Sequence, residues 1–332
     1  MTTEALVGAG FDPTGLAGGR VSAWGGNAKL ASDSLFVVEA DEYDQAFLTL
    51  QPTIAVINNV EPDHLECYGS VDAMERAYVQ FAGHARRVLI GNADPGADRV
   101  AAEVSPDRRW RFGPGAADFE MGSVRLEPSG SQALVRLPDG RTTALSLQVP
   151  GIHNLRNATA ALGAVVALGG DPERAAVALA GFRGVGRRFD RVGEVAGVAV
   201  VDDYAHHPTE LVATLAAMRQ AFPTRRLVAA FQPHLFSRTA LHADAMGAAL
   251  AAADVVVVAD VYPAREQPLP GVTGALVADA ARRRGAEVVY QPARRALTDT
   301  VVGILRTGDV LVTMGAGDIT LLGPEVLRRL AG

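Results

Sequence analysis

Short apolar runs that end in polar residues recur along the first half of the chain. Residues 35–39 and 53–57 are rich in β-branched side chains, and acidic or amide residues follow each of them. Continuous apolar runs of this length are typical of buried parallel strands. A helical pattern covers 71–81, and a further apolar run covers 87–90. The pattern therefore predicts strands that alternate with helices.

The pattern changes after residue 118. Residues 119–149 contain short strand-like segments separated by Pro-Ser-Gly-Ser and Pro-Asp-Gly-Arg, which are hairpin signals. We therefore expect an antiparallel edge to join the parallel sheet. Alanine-rich helices are predicted at 154–168 and 172–180. Glycine and arginine then cluster at 182–189, which predicts a hinge.

The second half alternates more regularly between apolar and helical segments. Predicted strands lie at 198–201, 227–231, 254–259, 287–290 and 309–313. Pro208 stands where it can open a helix, a position that suits the fixed φ of proline. This alternation predicts a doubly wound, mostly parallel, Rossmann-like sheet, which binds ligands at the carboxyl ends of its strands. We therefore predict an α/β fold in two domains, 1–183 and 184–332.

The composition excludes several classes of protein. Hydrophobic residues make up 48% of the chain and charged residues 20%, with a formal net charge of −6, so a general affinity for nucleic acid is not expected. Cys67 is the only cysteine, which rules out an internal disulfide. No apolar run reaches the roughly 20 residues that span a bilayer, and the first residues do not resemble a secretory signal. We expect a cytoplasmic protein.

Acidic and imidazole groups follow the first two predicted strands. The run 39–44 holds four carboxylates, and Glu61, Asp63 and His64 follow the next strand. A solvated acidic loop is one interpretation. Alternatively, a Glu and a His at neighbouring strand ends of one sheet edge share Mg²⁺ or Mn²⁺.

Asn154 and Asn157 lie at the beginning of a predicted helix. Asparagine is a common helix cap, and its amide can equally hydrogen-bond a base such as adenine. Arg187 and Arg188 form either a surface charge pair or a clamp for phosphate oxygens, which guanidinium groups bind in bidentate fashion. Both interpretations remain open for each pair from these residues alone.

Three further strand ends of the second half carry polar groups. The segment 202–208, Asp-Asp-Tyr-Ala-His-His-Pro, offers acids for ribose hydroxyls and two imidazoles for anions or proton transfer. Arg238, in 231–239, suits a substrate carboxylate. Gly315 and Gly317 allow close approach of the backbone to a ligand, although a lone Gly-x-Gly is weak evidence. Together these groups predict a nucleotide and carboxylate site.

The combination of segments resembles the Mur ligases, and within that family most closely the members that add L-alanine to UDP-N-acetylmuramic acid. The stretches Asp-Asp-Tyr-Ala-His-His-Pro-Thr-Glu and Phe-Gln-Pro-His are the most specific. The matching segments are 26–30, 39–44, 59–64, 153–157, 187–189, 202–210, 231–239, 260–266 and 315–318.

The resemblance implies ATP-dependent amide formation in peptidoglycan precursor synthesis. In that chemistry the muramate carboxylate attacks the γ-phosphate of ATP, and the alanine amine then attacks the resulting acyl phosphate and displaces phosphate. The resemblance implies Mg²⁺ at Glu39 and His64. It places His206, His207 and Arg238 at the reacting carboxylate and the incoming alanine.

The resemblance also implies the nucleotide-binding residues. Asn154 and Asn157 are expected at the adenine region, Arg188 at the phosphates and Asp203 at the ribose. The full set of nucleotide candidates is Asn154, Asn157, Arg187, Arg188, Asp203, Gly315 and Gly317.

The sequence departs from the family in two ways. The family has an N-terminal UDP-binding domain and a glycine-rich phosphate loop ending in Gly-Lys-Thr, and we find neither here. Lys29, the only lysine, lies in the different motif Gly-Gly-Asn-Ala-Lys-Leu. We therefore expect an N-terminally truncated central ATP-binding domain over 1–183, followed by a C-terminal Rossmann-like domain, and little activity from this chain alone.

Two alternative functions remain open. One is a related ligase of cell-wall recycling that attaches a murein tripeptide to UDP-N-acetylmuramic acid. The other is a non-catalytic protein that keeps a residual nucleotide site. A hydride-transfer dehydrogenase is disfavoured, because no Gly-x-Gly-x-x-Gly follows a first strand.

Overall fold

The chain forms two units, Met1–Arg183 and Gly184–Gly332, in a computed structural model that describes residues 1–332. No sheet and no hydrophobic cluster is shared between the two units. None of the helices combines the length and the apolar character that crossing a bilayer requires.

The first unit contains nine strands in two sheets. In chain order these are β1 (Thr14–Val21), β2 (Gly26–Lys29), β3 (Phe36–Val38), β4 (Ile54–Ile57), β5 (Arg87–Gly91), β6 (Arg109–Pro114), β7 (Phe119–Glu127), β8 (Gly130–Arg136) and β9 (Thr142–Leu147). The small sheet has the order β2-β1-β3, and the large sheet runs from β4 to β9 in sequence order. Strands β4 to β7 are parallel, whereas β8 and β9 add an antiparallel edge, as the hairpin signals predicted.

Helices cover both faces of the large sheet. They are α1 (Thr2–Gly8), α2 (Leu65–Tyr68), α3 (Val71–His84), α4 (Pro95–Glu103), α5 (Ile152–Ala167) and α6 (Pro172–Leu179). Two separate hydrophobic clusters result. One includes residues of α1, α5 and α6, and the other includes residues of α3 and α4. This two-sided burial explains why the strands read as continuous apolar runs.

Side-chain caps fix where three of these helices begin. The Ser70 hydroxyl accepts the Ala73 N–H at the start of α3. Asp94 and Asp171 cap α4 and α6, and in both cases proline occupies the next position. Carboxylate and hydroxyl caps satisfy N–H groups that have no partner within the helix, and proline at the first position has no N–H to satisfy.

Residues 35–39 form a strand, but the prediction that this strand is buried is wrong. β3 has β1 as its only neighbour, and Phe36 and Val38 are 55% and 43% exposed. Leu35 and Val37 pack against the core, so only one face of the small sheet is covered. The expectation that Glu39 and His64 follow strands of one sheet is also wrong, because β3 and β4 belong to different sheets.

The second unit is a single six-stranded sheet with helices on both faces. Its strands are β10 (Asp190–Val195), β11 (Val198–Asp203), β12 (Leu227–Phe231), β13 (Val255–Val258), β14 (Val288–Tyr290) and β15 (Val310–Met314). Its helices are α7 (Pro208–Ala221), α8 (Phe236–Leu250), α9 (Gly274–Arg283), α10 (Arg294–Ile304) and α11 (Leu322–Leu330). The doubly wound, mostly parallel sheet is confirmed, with β10 as an antiparallel edge strand.

The strand order of this sheet is β10-β11-β15-β12-β13-β14. The last strand, β15, therefore lies between β11 and β12 and is parallel to both. Met314, at its end, pairs with Asp203 on one side and with Phe231 on the other. The carboxyl ends of three strands that are distant in sequence thus meet at one edge of the sheet.

Candidate functional site

The edge formed by β11, β15 and β12 gathers the predicted residues of the second unit. The segment after β11 supplies His206 and His207, the segment after β15 supplies Gly315 and Gly317, and Arg238 lies in the first turn of α8, just beyond β12. Ligands of doubly wound sheets bind at carboxyl strand ends of this kind. The structure therefore brings these candidates together, as the strand-end interpretation predicted.

Asp202 is the centre of a buried hydrogen-bond network. Its carboxylate is 3% exposed and accepts the hydroxyls of Thr313 (2.6 Å) and Thr320 (2.8 Å) and the Nε–H of Arg187 (3.3 Å). Arg187 also donates to the carbonyl oxygen of Gly315 at 2.7 Å. Its guanidinium thus joins β11 to the glycine segment. A direct contact of Arg187 with phosphate stays a prediction.

Asp203 is buried and accepts two backbone hydrogen bonds. Its oxygens accept the N–H groups of Phe189 and Ala205, both at 2.8 Å. Burial raises the pKa of Asp203 to about 6, even though these N–H groups and Arg188 favour the charged form. The carboxyl group therefore fixes the loops on either side of it. Its predicted contact with ribose stays a prediction.

Aromatic rings form a continuous group around His206. Its ring lies 5.2 Å from that of Tyr204 and 6.0 Å from that of His234, between centroids. Its Nδ1 is 2.9 Å from the Tyr204 carbonyl oxygen. His207 ends this segment as the N-cap of α7, and its ring contacts that of His242 at 5.0 Å. Pro208 then begins the helix, as predicted.

Arg238 is a deeply buried guanidinium at 6% exposure. Its Nη1 lies 3.3 Å from Nδ1 of His234. Burial and, after it, the adjacent charge of Arg238 lower the pKa of His234 to about 4. His234 therefore stays neutral at pH 7 and stacks on Tyr262 with centroids 5.7 Å apart. A positive charge held in a small aromatic site is suited to a substrate carboxylate.

The two glycines after β15 are required by close packing. Gly315 has φ +141°, and a Cβ there would lie 2.6 Å from the Gln232 carbonyl oxygen. A Cβ on Gly317 would lie 2.5 Å from Gln232 Oε1 and 2.6 Å from Tyr262 Cγ. Gln232 further accepts the Ile319 N–H and donates to Asp318. The glycine segment is therefore held against the end of β12.

Asn154 and Asn157 lie one turn apart on α5 in the first unit. Asn154 does not cap the helix, since Gly151 occupies that position, and its side chain donates to the Pro150 carbonyl oxygen at 2.7 Å.

At the end of β5, Asn92 donates through Nδ2 to the Pro114 carbonyl oxygen, while its buried Oδ1 has no hydrogen-bond partner. A buried acceptor without a partner is a place where a polar ligand group fits.

The predicted metal ligands lie after β3 and β4. Glu39 accepts the Gly18 N–H through Oε2 at 2.8 Å. The nitrogens of the His64 ring lie 3.4 Å from a Glu66 oxygen, 3.7 Å from Asp63 and 4.0 Å from Glu42. A carboxylate oxygen and an imidazole among carboxylates are donors that attract a divalent cation.

No group of three or more His, Cys, Asp or Glu side chains is arranged as a complete metal site. Mg²⁺ commonly takes only one or two protein ligands and completes its shell with water and substrate phosphates. Glu39 and His64 each carry an atom type that can bind Mg²⁺ brought with a nucleotide, and they do not form a cage of protein ligands. Their assignment to magnesium stays a prediction.

Comparison with known proteins identifies the family of the chain. A sequence model of the Mur ligase middle domain matches residues 27–165, and one described as the Mur ligase, glutamate ligase domain matches residues 187–317. The UDP-N-acetylmuramate–L-alanine ligase of Mycolicibacterium vanbaalenii is 45% identical over 345 aligned residues, which cover 99% of this chain and 71% of that protein. The chain belongs to the Mur ligase family.

Further relatives of this Mur ligase carry the same name. The UDP-N-acetylmuramate–L-alanine ligase of Thermobifida fusca is 41% identical over 99% of this chain and 72% of its own length. The solved structure of UDP-N-acetylmuramate–alanine ligase from Thermotoga maritima has a TM-score of 0.81 and 26% identity, covering 99% of this chain and 71% of that one. Mur ligases are ATP-dependent, amide-forming enzymes, so the family assignment makes this chain a ligase by descent.

The structure of the Mur ligase adds residues that sequence reasoning missed. Gln232 and Asp318 hold the glycine segment, Tyr262 stacks on His234, and Glu210 contacts both histidines of the segment after β11. Gln232 follows its strand directly, so its position was a usable signal. Glu210 had a local signal too, as the third residue of the helix that begins at Pro208. Tyr262 and Asp318 depend on which strands are neighbours, and that order leaves no local signal.

The buried carboxyl of Asp203 predicts a pH dependence of stability. Its pKa is about 6 in the folded chain against 3.8 without the fold. The protonated form is thus favoured by folding, and this contribution is complete below pH 4 and is lost as the pH rises through 6. Two units of pKa correspond to about 3 kcal/mol.

Urea unfolding from pH 4 to 7 tests this dependence. Wild type should lose its stability advantage over Asp203→Asn as the pH rises: the difference between their free energies of unfolding should fall by about 3 kcal/mol. Asp254→Asn is the matched control. Hydrogen bonding to Arg219 lowers the pKa of Asp254, so the stability difference between wild type and this variant should rise, not fall, with pH. A pH-independent difference for Asp203→Asn would contradict the prediction.

Gly317→Ala should displace the Tyr262 ring from His234, because the new methyl group overlaps Tyr262 Cγ. Overpacking of this kind costs about 1–3 kcal/mol of the free energy of unfolding. Gly303→Ala is the control: it lies within α10, nothing stands within 4 Å of its Cβ position, and it should stabilise slightly. Urea unfolding and the NMR signals of the Tyr262 ring measure both effects.

Proposed function

We propose that this Mur ligase joins L-alanine to UDP-N-acetylmuramic acid with consumption of ATP, in peptidoglycan precursor synthesis. The observation that carries the proposal is the buried Arg238 beside His234 and His206, at the edge where β11, β15 and β12 end. The names of the relatives that are 41–45% identical support the same reaction.

The amino-acid end of the site is assigned to Arg238, His206 and His207. The guanidinium of Arg238 would bind the alanine carboxylate, which leaves the amine directed towards the reacting sugar carboxylate. The stacked rings of His234 and Tyr262 bound this space, which favours a small side chain. Neutral His234 keeps the positive charge concentrated on Arg238.

The residues of the nucleotide end are assigned in each unit by itself. In the first unit, Asn154 and Asn157 would contact adenine. In the second unit, Asp203 would contact the ribose and Arg188 the phosphates, and Arg187, Gly315 and Gly317 would also contact the nucleotide. Glu39 and His64 would hold Mg²⁺, which neutralises phosphate charge when bound. We assign 1–183 to the central ATP-binding domain and 184–332 to the C-terminal domain. We place the reaction in the cytoplasm, where ATP is available.

This chain by itself should turn over slowly. Its residues include no Gly-Lys-Thr phosphate loop, and Lys29 is its only lysine. Such a loop positions the phosphates and offsets their charge, and both contributions are large in phosphoryl transfer. Purified chain with ATP, Mg²⁺, UDP-N-acetylmuramic acid and alanine should release phosphate at a rate close to background. Rapid turnover would contradict this expectation.

A chimera tests the proposed reaction itself. The part of the Mycolicibacterium relative that this chain does not align with is placed before Met1, and product formation is measured with alanine and with a murein tripeptide as acceptors. We expect transfer to alanine. Transfer to the tripeptide alone would favour the recycling ligase. A solved structure of a murein peptide ligase from Psychrobacter arcticus shares the fold at 22% identity and a TM-score of 0.72.

Calorimetry addresses the non-catalytic alternative. The chain alone, titrated with ADP in the presence of Mg²⁺, should bind one equivalent if the nucleotide residues are assigned correctly. If the chain binds ADP but the chimera forms no product, the protein is better described as a nucleotide-binding protein without catalysis. Absence of binding in both proteins would contradict the assignment of the nucleotide end.

A further inference from the structure

Glu210 contacts three groups of the proposed site with one carboxylate. It lies in the first turn of α7, and its Oε2 accepts the N–H groups of His206 (2.9 Å) and His207 (3.1 Å). The same oxygen is 3.3 Å from Nδ1 of His206. The other oxygen, Oε1, accepts from Nη1 of Arg188 at 3.2 Å.

Helix capping explains only part of this arrangement. A Glu at the third helical position that bonds the N-cap N–H forms a capping box, and His207 is that N-cap. Glutamine serves in a capping box as well as glutamate. The negative charge is needed only for Arg188 and for the imidazole of His206. Arg188 is 22 residues distant in sequence and is not part of the helix.

The surroundings of the Glu210 carboxylate keep it ionised and place cationic groups beside it. Burial alone would raise the pKa of Glu210, but His206, Arg188 and the two N–H groups outweigh it and leave that pKa below its usual range. The side chain is therefore ionised at neutral pH. The Arg188 guanidinium also lies 5.3 Å above the Tyr204 ring, which in turn contacts His206. Half of the Arg188 side chain is exposed, so few other contacts restrain it.

We propose that Glu210 is a positioning residue that holds Arg188 and His206 in one fixed arrangement, so that the phosphate end and the carboxylate end of the site are set together. The naming of these ends rests on the proposed function, whereas the coupling of the two side chains does not. The groups that face His206 include Tyr204 from its own segment, His234 beyond β12 and Glu210 from α7.

The substitution Glu210→Gln separates positioning from capping. The amide oxygen still accepts the two N–H groups, while the ion pair with Arg188 is lost. We expect an unchanged midpoint of urea unfolding and a more mobile Arg188, seen in ¹⁵N relaxation of its Nε–H signal, which is assigned with Arg188→Lys. ADP affinity in the presence of Mg²⁺ should fall by about twofold to fivefold, which corresponds to the range of a partly exposed charged pair.

A double-mutant cycle and a matched control sharpen the result. Arg188→Ala and Arg188→Ala/Glu210→Gln should bind ADP equally weakly, because Glu210 acts through Arg188. Glu194→Gln is the control: Glu194 is an exposed residue of β10 that pairs with Arg225 at 2.9 Å and lies opposite Ala199, near the start of β11 and away from its carboxyl end. It should change neither Arg188 mobility nor ADP affinity.

Two results would overturn the proposal: unchanged Arg188 relaxation in folded Glu210→Gln, or additive effects in the cycle. If wild type binds no ADP, the assigned nucleotide end fails, and Arg188 relaxation still decides the role of Glu210. If Glu210→Gln does not fold, Arg188→Ala is the second variant. If the two side chains are coupled, ¹³C relaxation should show a more mobile His206 ring in Arg188→Ala. An unchanged His206 ring in that variant would contradict the proposal.

Discussion

Asp202→Ala is expected to lower the free energy of unfolding of the Gly184–Gly332 unit by about 3 kcal/mol or more. The substitution leaves Arg187 without its carboxylate and leaves the hydroxyls of Thr313 and Thr320 without their acceptor. Thr313 is fully buried in the centre of the sheet, so water cannot replace its lost acceptor. Arg187 and Thr320 are partly exposed and add less to the loss. Urea unfolding at pH 7 measures the loss.

Asp309→Ala is the matched comparison for this variant. Asp309 is also 3% exposed and binds Arg226 through two hydrogen bonds, but it lies just before β15, at the opposite end of that strand from the glycine segment. Both variants should be destabilised, whereas only Asp202→Ala should also weaken ADP binding, since it releases Arg187 from Gly315. A loss below about 1 kcal/mol for Asp202→Ala would contradict the role given to the network.

Arg238→Ala in the chimera should raise the KM for alanine by about 30-fold or more. Loss of one partner from a buried, hydrogen-bonded charge pair costs roughly 2–5 kcal/mol, and the alanine carboxylate is the proposed partner. The KM for ATP should change far less, because Arg238 lies beyond β12 and has no assigned contact with the nucleotide. Initial rates at varied alanine and fixed ATP measure the effect.

Arg283→Ala is the control for charge alone. Arg283 is an exposed arginine of α9 paired with Asp244 on the surface, and its loss should leave both KM values unchanged. If Arg238→Ala raises the two KM values equally, Arg238 acts on the stability of the whole site rather than on alanine. Such a result would contradict its assignment to the carboxylate.

Much of the fold was predictable because the strands are short apolar runs and proline or carboxylate side chains open several helices. The doubly wound sheet and the antiparallel edge of β8 and β9 followed from such local signals. β1, β2, β6 and β10 were missed, because glycine, arginine and polar residues interrupt their apolar pattern. The burial of β3 was predicted wrongly, since exposure depends on which elements cover a strand.

The site was predictable as a list of residues and less so as an arrangement. Asp202, His206 and Arg238 could be assigned to strand ends from local patterns alone. The insertion of β15 between β11 and β12 could not, because pairing of distant strands leaves no local trace. For the same reason the role of Arg187 as a link between Asp202 and Gly315 was not foreseen.

The central place of β15 has a consequence for how the chain is made. The hydrogen bond from Thr313 to Asp202 joins residues 111 positions apart, so β11 leaves the ribosome long before its inner neighbour exists. At roughly 5–20 residues per second the delay is about ten seconds. During that interval the N–H and C=O groups on the inner edge of β11 have no strand partner, and the newly made segment is open to aggregation or to capture by a chaperone.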